Sequence, residues 1–107
     1  METLIRNIKF TRGNTYGLKI NLKTSITDIN DIYFTVKDGS NKKLIEKKLD
    51  NGITFEDNVI ILQLKPSDTD NLIDDVDYKY DLEINYGRND EFTIVKGKFI
   101  VGWKVTD

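Results

Sequence analysis

Five aspartates, Asp68, Asp70, Asp74, Asp75 and Asp77, crowd into "LKPSDTDNLIDDVD", residues 64–77, which also holds the only proline, Pro66. Carboxylates at that density can hold a cation, work as an acid–base pair, or solvate a turn. A helix–loop–helix calcium loop needs oxygen ligands at its first, third and fifth positions, glycine at the sixth and glutamate at the twelfth. Counted from Asp68, the third position is Asp70, which fits, but the fifth, sixth and twelfth are Leu72, Ile73 and Lys79. The pattern fails three times, leaving an irregular site at Asp74, Asp75 and Asp77 as the alternative. Glycoside chemistry needs two carboxylates at a defined separation across a cleft, and aspartates alternating with tyrosines along a strand point to solvent instead. The chain has no cysteine and no histidine. It therefore lacks thiolate ligands, disulfides, the usual zinc ligand and the usual proton shuttle. No catalytic residue, metal ligand or cofactor is expected, and the chain does not read as an enzyme.

The same stretch has a structural reading. Proline pre-sets φ for the first position of a helical turn. Either Pro66 occupies that position after Lys65, or Ser67 caps the turn with Asp70 three residues on. Asp68 and Asp70 then lie near its positive end. Leu72 and Ile73 would plug the end of a core. This predicts a short helical crossover within residues 66–72, between two strands.

The elements around it are strands, because the apolar residues alternate. Tyr16, Leu18, Ile20 and Leu22 share one face, and so do Ile32, Phe34 and Val36, with Tyr33, Thr35 and Lys37 outward. Ile60, Leu62 and Leu64 form a third set. The longest run places Val76, Tyr78, Tyr80, Leu82, Ile84 and Tyr86 together, against Asp77, Lys79, Asp81, Glu83 and Asn85. "KLIEKKL" alternates weakly and suits an edge strand guarded by lysines, with Lys47 pointing outward or along that edge. In "EFTIVKGKFIV" the apolar phase shifts near Lys96 and Gly97, which predicts a bulge at Gly97. "YGRND" is a hairpin turn, with Gly87 and Asn89 suited to positive φ. Seven to eight short strands at this spacing predict an antiparallel β-sandwich, one domain over residues 1–107.

Charged residues make up 32% of the chain, yet the net charge is −2. Lys42, Lys43, Lys47 and Lys48 are flanked by acids and read as a solvated strand face, so no nucleic acid is expected as a partner. No apolar run approaches the roughly 18 residues of a membrane span, and no membrane is expected either. "METLIRNIKF" has no signal-peptide core, so synthesis in a host cytoplasm without export by the general secretory route is expected. Alanine is absent, while Ile, Asn and Lys are abundant. That bias fits AT-rich coding DNA, as in a low-GC bacterium or its phage.

Taken in order, "IKFTRGNTYGLKINL", "ITDINDIYFTVKD", "KLIEKKLDNGITF", "VIILQLKPSDTDNL", "VDYKYDLEI" and "FTIVKGKFIV" resemble small phage virion domains related to the N-terminal domain of the phage baseplate upper protein. In that family an "RG(D/N)T" turn leads into the first long strand, a "VYFTVK"-like strand follows, and a "L.P.DT..L" crossover precedes a "Y.YDI"-like strand. The resemblance spans residues 8–101. It departs at "DIND", where family members often carry alanine or glycine. It implies an immunoglobulin-like sandwich without enzymatic activity, acting as a structural or adaptor part of a tail, baseplate or fibre, and it places the protein in the virion. Other phage virion proteins are the implied partners, with a homodimer or homotrimer as a further expectation. The expected protein-binding surface comprises Trp103, Tyr33 and Tyr86. The alternative is a carbohydrate-binding sandwich that stacks sugars on Tyr33, Tyr16 and Trp103.

Overall fold

The computed structural model describes residues 3–11, 13–23, 25–26, 28–88 and 90–102. Nine strands are formed among them: β1 (Leu4–Ile5), β2 (Ile8–Thr11), β3 (Tyr16–Asn21), β4 (Ile29–Lys37), β5 (Lys43–Leu49), β6 (Gly52–Glu56), β7 (Val59–Leu64), β8 (Tyr78–Tyr86) and β9 (Asp90–Gly102). The one helical element described is a 3-10 turn, Pro66–Thr69, between β7 and β8. The chain is thus an all-β, immunoglobulin-like sandwich with a single short helical crossover. The strand total exceeds eight because the first strand is broken at Arg6–Asn7, giving β1 and β2 in succession along β9.

Hydrogen bonding runs in the order β1-β9-β8-β4-β5-β6-β7-β3, with β2 also on β9. Two layers are joined at a corner. β1/β2, β9, β8, β4 and β5 form one sheet, and β6, β7 and β3 form the other. They meet where Lys48 and Leu49 of β5 pair in parallel with Gly52 and Ile53 of β6. β1 and β2 run parallel to β9, while β9-β8-β4-β5 and β6-β7-β3 are antiparallel. Third strand beside seventh, fourth beside eighth, and ninth beside eighth is the pairing pattern of the immunoglobulin sandwich.

The alternation sets the core. Ile32, Phe34 and Val36 of β4, Leu82 and Ile84 of β8, and Ile60, Leu62 and Leu64 of β7 are fully buried between the layers. Phe34, Tyr80 and Phe99 pack as an aromatic cluster with ring centroids 5.7–6.3 Å apart, and Phe10 adds an edge-on contact to Phe99. Such pairs contribute about 0.5–1.5 kcal/mol each beyond the area they bury.

The crossover closes one end. Pro66 is the first residue of the turn after extended Lys65, which is the first of the two capping alternatives. The Asp68 carboxylate reaches back to accept from the Lys65 N–H at 2.7 Å. Leu72 is buried as a plug, whereas Ile73 is 66% exposed. The Ile73 backbone is nevertheless held, its N–H donating to the Tyr78 hydroxyl at 2.8 Å. This is a tyrosine corner at the entry to β8, a device of this fold class.

Two further expectations are corrected. The bulge in β9 falls at Ile94, not Gly97: Leu82 pairs with Val95 and Glu83 with Thr93, so Ile94 is extra. Ile94 and Val95 are both buried as a result. Gly97 serves a close approach, since a Cβ there would collide with the Arg6 carbonyl at the β1–β2 break. β5 is the edge of the larger sheet, as expected, over most of its length: β4 covers one side, and the start of β6 covers only its last two residues on the other. In the smaller sheet β3 pairs with β7 alone and is uncovered over its whole length. Lys47 turns to the inner face opposite Phe34, only 18% exposed. Its Nζ lies 2.9 Å from the Asp68 carboxylate, itself 17% exposed. The pairing makes that burial tolerable, because an unpaired lysine there would carry a large desolvation cost.

Candidate functional site

β9, β8, β4 and β5 turn one face to the core and the other outward. The outward residues of β4 are Asp31, Tyr33, Thr35 and Lys37. β8 supplies Lys79, Asp81, Glu83 and Asn85, and β5 supplies Glu46 and Lys48. A shallow groove of about 550 Å³ runs over them, lined by Tyr33, Thr35, Lys37, Glu46, Lys48, Asp81 and Glu83 among others. A second, of about 480 Å³, continues over Lys79, Lys96, Gly97 and Lys98.

The register gives this face an order. One row reads Lys43, Lys37, Lys79 and Lys98, each directly opposite the next across four strands. Two steps along the strands lies Glu46, Thr35, Asp81, Lys96. Two further on lies Lys48, Tyr33, Glu83, Thr93. Glu91 and Asp31 flank Asn85 beyond that. Lysines thus gather at one end and carboxylates around Tyr33 at the other. Lys98 reaches Asp77 at 3.2 Å, and Lys43 reaches Glu46 at 3.8 Å. Among the described residues no ion pair takes up Lys37 or Lys79.

The carboxylate end is strained electrostatically. Partial burial, followed by the charges of Glu91 and Asp81 and a hydrogen bond with Glu91, holds the Glu83 carboxyl above its ordinary range. The charge of Asp31 and a hydrogen bond to it, with Glu83 and Glu91 behind, push the Tyr33 phenol up. Asp31 also has a structural task. One of its oxygens accepts from the Ile32 N–H at 2.9 Å and the Leu49 N–H at 3.3 Å, tying down the corner where β5 leaves the sheet.

Of the three residues expected to bind protein, Tyr33 is 40% exposed on the outer face. Tyr86 is half-buried on the opposite, core-side face of the same sheet, opposite Ile29 and Asp90. The structure does not bring these two together. Trp103 lies outside the described residues. Tyr16, proposed as a sugar platform, is half-buried with its ring 5.1 Å from Phe10. The lysine row leaves no cluster of basic residues close in sequence. Lys37, Lys43, Lys79 and Lys98 meet only through strand register. Their signal was the outward phase of "TVKD", "YKYD" and "GKF". Of the aspartates in the opening stretch, Asp68 holds Lys47 and Asp77 holds Lys98. Among the described residues no group of three or more acids is arranged to hold a metal ion.

No family model matches the chain, and no curated protein matches it. Among solved structures it is similar to the extracellular domain of the voltage-gated sodium channel beta4 subunit, described in terms of parallel homodimers and cell–cell adhesion. The TM-score is 0.47 at 18% identity, over 98% of this chain and 97% of that one.

Proposed function

We propose that this protein is a non-enzymatic docking domain of a phage or prophage virion, a tail-, baseplate- or fibre-associated part that binds other virion proteins through its larger sheet. The observation that carries the docking role is the outer face of β9-β8-β4-β5. It is broad and shallow, it sets lysines at one end and carboxylates at the other, and it exposes Tyr33 at the carboxylate end. Surfaces of this form suit a protein partner, with an aromatic anchor inside a polar field that sets register and orientation. The virion setting is supported by the ordered motifs from "TRGNTYGLKINL" to "VKGKFIV". Among the described residues Tyr16 is half-buried against Phe10 and Tyr33 is exposed, so these two do not form a pair of stacking platforms. Purified particles of the phage or induced prophage encoding this chain test the reading. Mass spectrometry should find it there in stoichiometric amounts relative to tail proteins. Its absence from intact particles, or specific binding on a glycan array at high protein concentration that is lost in Tyr33→Ala, would overturn the proposal.

A further inference from the structure

Across the outer face of the larger sheet, Lys43, Lys37, Lys79 and Lys98 stand directly opposite one another on β5, β4, β8 and β9. Like charges so placed destabilise a sheet, and a covering anion relieves them. The ends of the row are partly neutralised, Lys43 by Glu46 and Lys98 by Asp77. Among the described residues no ion pair takes up Lys37 or Lys79, in the middle, or Lys96, beside them. These three and Lys98 line the second depression, of about 480 Å³, where Asp81 is the one carboxylate among the described residues. The row does not end on a lysine. Beyond β9 lies β1, where Ile5 pairs with Lys96, shares its outward side, and is 71% exposed at the rim of the same depression. The Asn7 side-chain carbonyl accepts from the Lys98 N–H at 3.0 Å, and the Arg6 N–H donates to the Lys96 carbonyl at 2.9 Å. These bonds fix Ile5 relative to the row.

We propose that the row binds an extended acidic segment of a partner protein, laid across the strands, with acids at alternate positions and an apolar residue two places beyond the last acid. The inference rests on the docking role proposed above and names the partner's chemistry. Neighbouring strands are about 4.8 Å apart, so the four lysines span about 14 Å and β1 lies about 19 Å from β5. An extended chain turns alternate side chains to one side every 6.6 Å or so, roughly. Three acids therefore cover about 13 Å, and the next side chain on that side falls about 20 Å from the first. The acids lie over the lysines, whose flexible four-carbon stems take up the difference in spacing, and the apolar side chain arrives at Ile5. Either chain direction meets the requirement. Two features favour a polypeptide over a phosphate polymer. A bare polyanion has no use for Ile5. Single-stranded nucleic acid would need exposed rings on which its bases stack, and the one ring at the depression among the described residues, Tyr80, is 3% exposed. The chain as a whole carries a net charge of −2, so attraction of an acidic segment is local to the row and weakens with salt.

Fluorescence anisotropy of a labelled, end-blocked peptide, LSESESESL, tests this on the whole chain; its two leucines serve either direction. The wild type should bind it at about 0.01 M salt and lose it near 1 M, where charges are screened beyond about 3 Å. Lys79→Glu should weaken binding by tenfold or more, since it sets a like charge against the acids at the centre of the row. Ile5→Ser should weaken it by about fivefold, the effect of an aliphatic side chain half-covered on binding. Lys19→Glu, an equal change of charge on the outward side of β3, should leave binding within about twofold, because charges beyond a Debye length are screened. Unchanged far-ultraviolet circular dichroism shows that the variants fold. Absence of binding by the wild type at low salt overturns the inference, as does binding indifferent to Lys79→Glu, or weakened as much by Lys19→Glu. A thymidine dodecanucleotide that binds more tightly than the peptide, with no loss in Ile5→Ser, also overturns it and makes the partner a nucleic acid. None of these results bears on incorporation into virions, and absence from virions leaves the peptide assay untouched, so the two proposals fail separately.

Discussion

Tyr78→Phe removes one oxygen and little else. That oxygen accepts the Ile73 N–H at 2.8 Å, at the point where the crossover turns into β8. The ring is buried, with Tyr78 5% exposed, so phenylalanine keeps the packing and orphans the amide. A buried donor left without a partner costs about 1–3 kcal/mol. Ile73 is itself solvent-facing, which lets water reach the site and puts the cost in the lower part of that range, about 1–2 kcal/mol. At about 2.1 cal/mol/K per residue, the 107 residues carry an unfolding entropy near 225 cal/mol/K. The loss therefore appears as a fall in Tm of about 4–9 °C. Urea unfolding followed by circular dichroism should show a lower midpoint with an unchanged slope, because the surface exposed on unfolding is the same. Tyr33→Phe, at an exposed ring, is the control and should leave Tm within about 1–2 °C of wild type, as surface substitutions do. A Tyr78→Phe protein as stable as that control would show that the corner bond contributes nothing.

Gly97→Ala should destabilise by about 1–3 kcal/mol, the cost of forcing an atom into a filled site, because the new methyl collides with the Arg6 carbonyl. Hydrogen exchange should accelerate at the Arg6 amide, which donates to the Lys96 carbonyl; protection equal to wild type would refute the close-approach account. Burial, with a smaller contribution from Tyr16 against an opposing one from Arg6, pushes the Tyr80 phenol up to about 12. The folded state therefore holds this proton where the unfolded chain releases it. Stability is fully present below the ordinary tyrosine range and is lost as pH rises from about 10 to about 12. Denaturant midpoints measured across that window should fall for wild type and fall less for Tyr80→Phe; parallel curves would refute the assignment. Chelator, and millimolar calcium, should leave Tm unchanged, because Asp68 and Asp77 are engaged by Lys47 and Lys98. A rise of several degrees with calcium would mean a cation site instead, by mass action on the folded state.

What was legible in the sequence was whatever repeats every second residue. Phe34, Leu62 and Leu82 announce which face is inward because each strand repeats the statement several times, and the core follows. Pro66 announces the crossover because its ring fixes a backbone angle locally. Features that depend on a partner far along the chain gave no such signal. Lys47 reads as solvent-facing until Asp68 is brought beside it by the crossover. Gly97 reads as a bulge until the Arg6 carbonyl is found above it, and the true bulge at Ile94 hides because both it and Val95 are apolar. The outer face was hidden for the same reason. Lys37, Lys43, Lys79 and Lys98 are scattered over four strands, and only register makes them neighbours. Tyr33 and Tyr86 were grouped by residue type, although their phases already assign them to opposite faces.

The parallel pairing of β1 and β2 with β9 bears on how the chain is made. Leu4 finds its partner at Val95, and Phe10 at Val101. During synthesis at roughly 5–20 residues per second, the first strands wait for several seconds with nothing to pair against. β3 through β8 can associate meanwhile, but β8 lacks its second neighbour, and the aromatic cluster lacks Phe99, until β9 has emerged. The fold therefore closes late and all at once. A ribosome stalled before β9 would hold a sheet open along β8, with its backbone ready to accept the wrong partner.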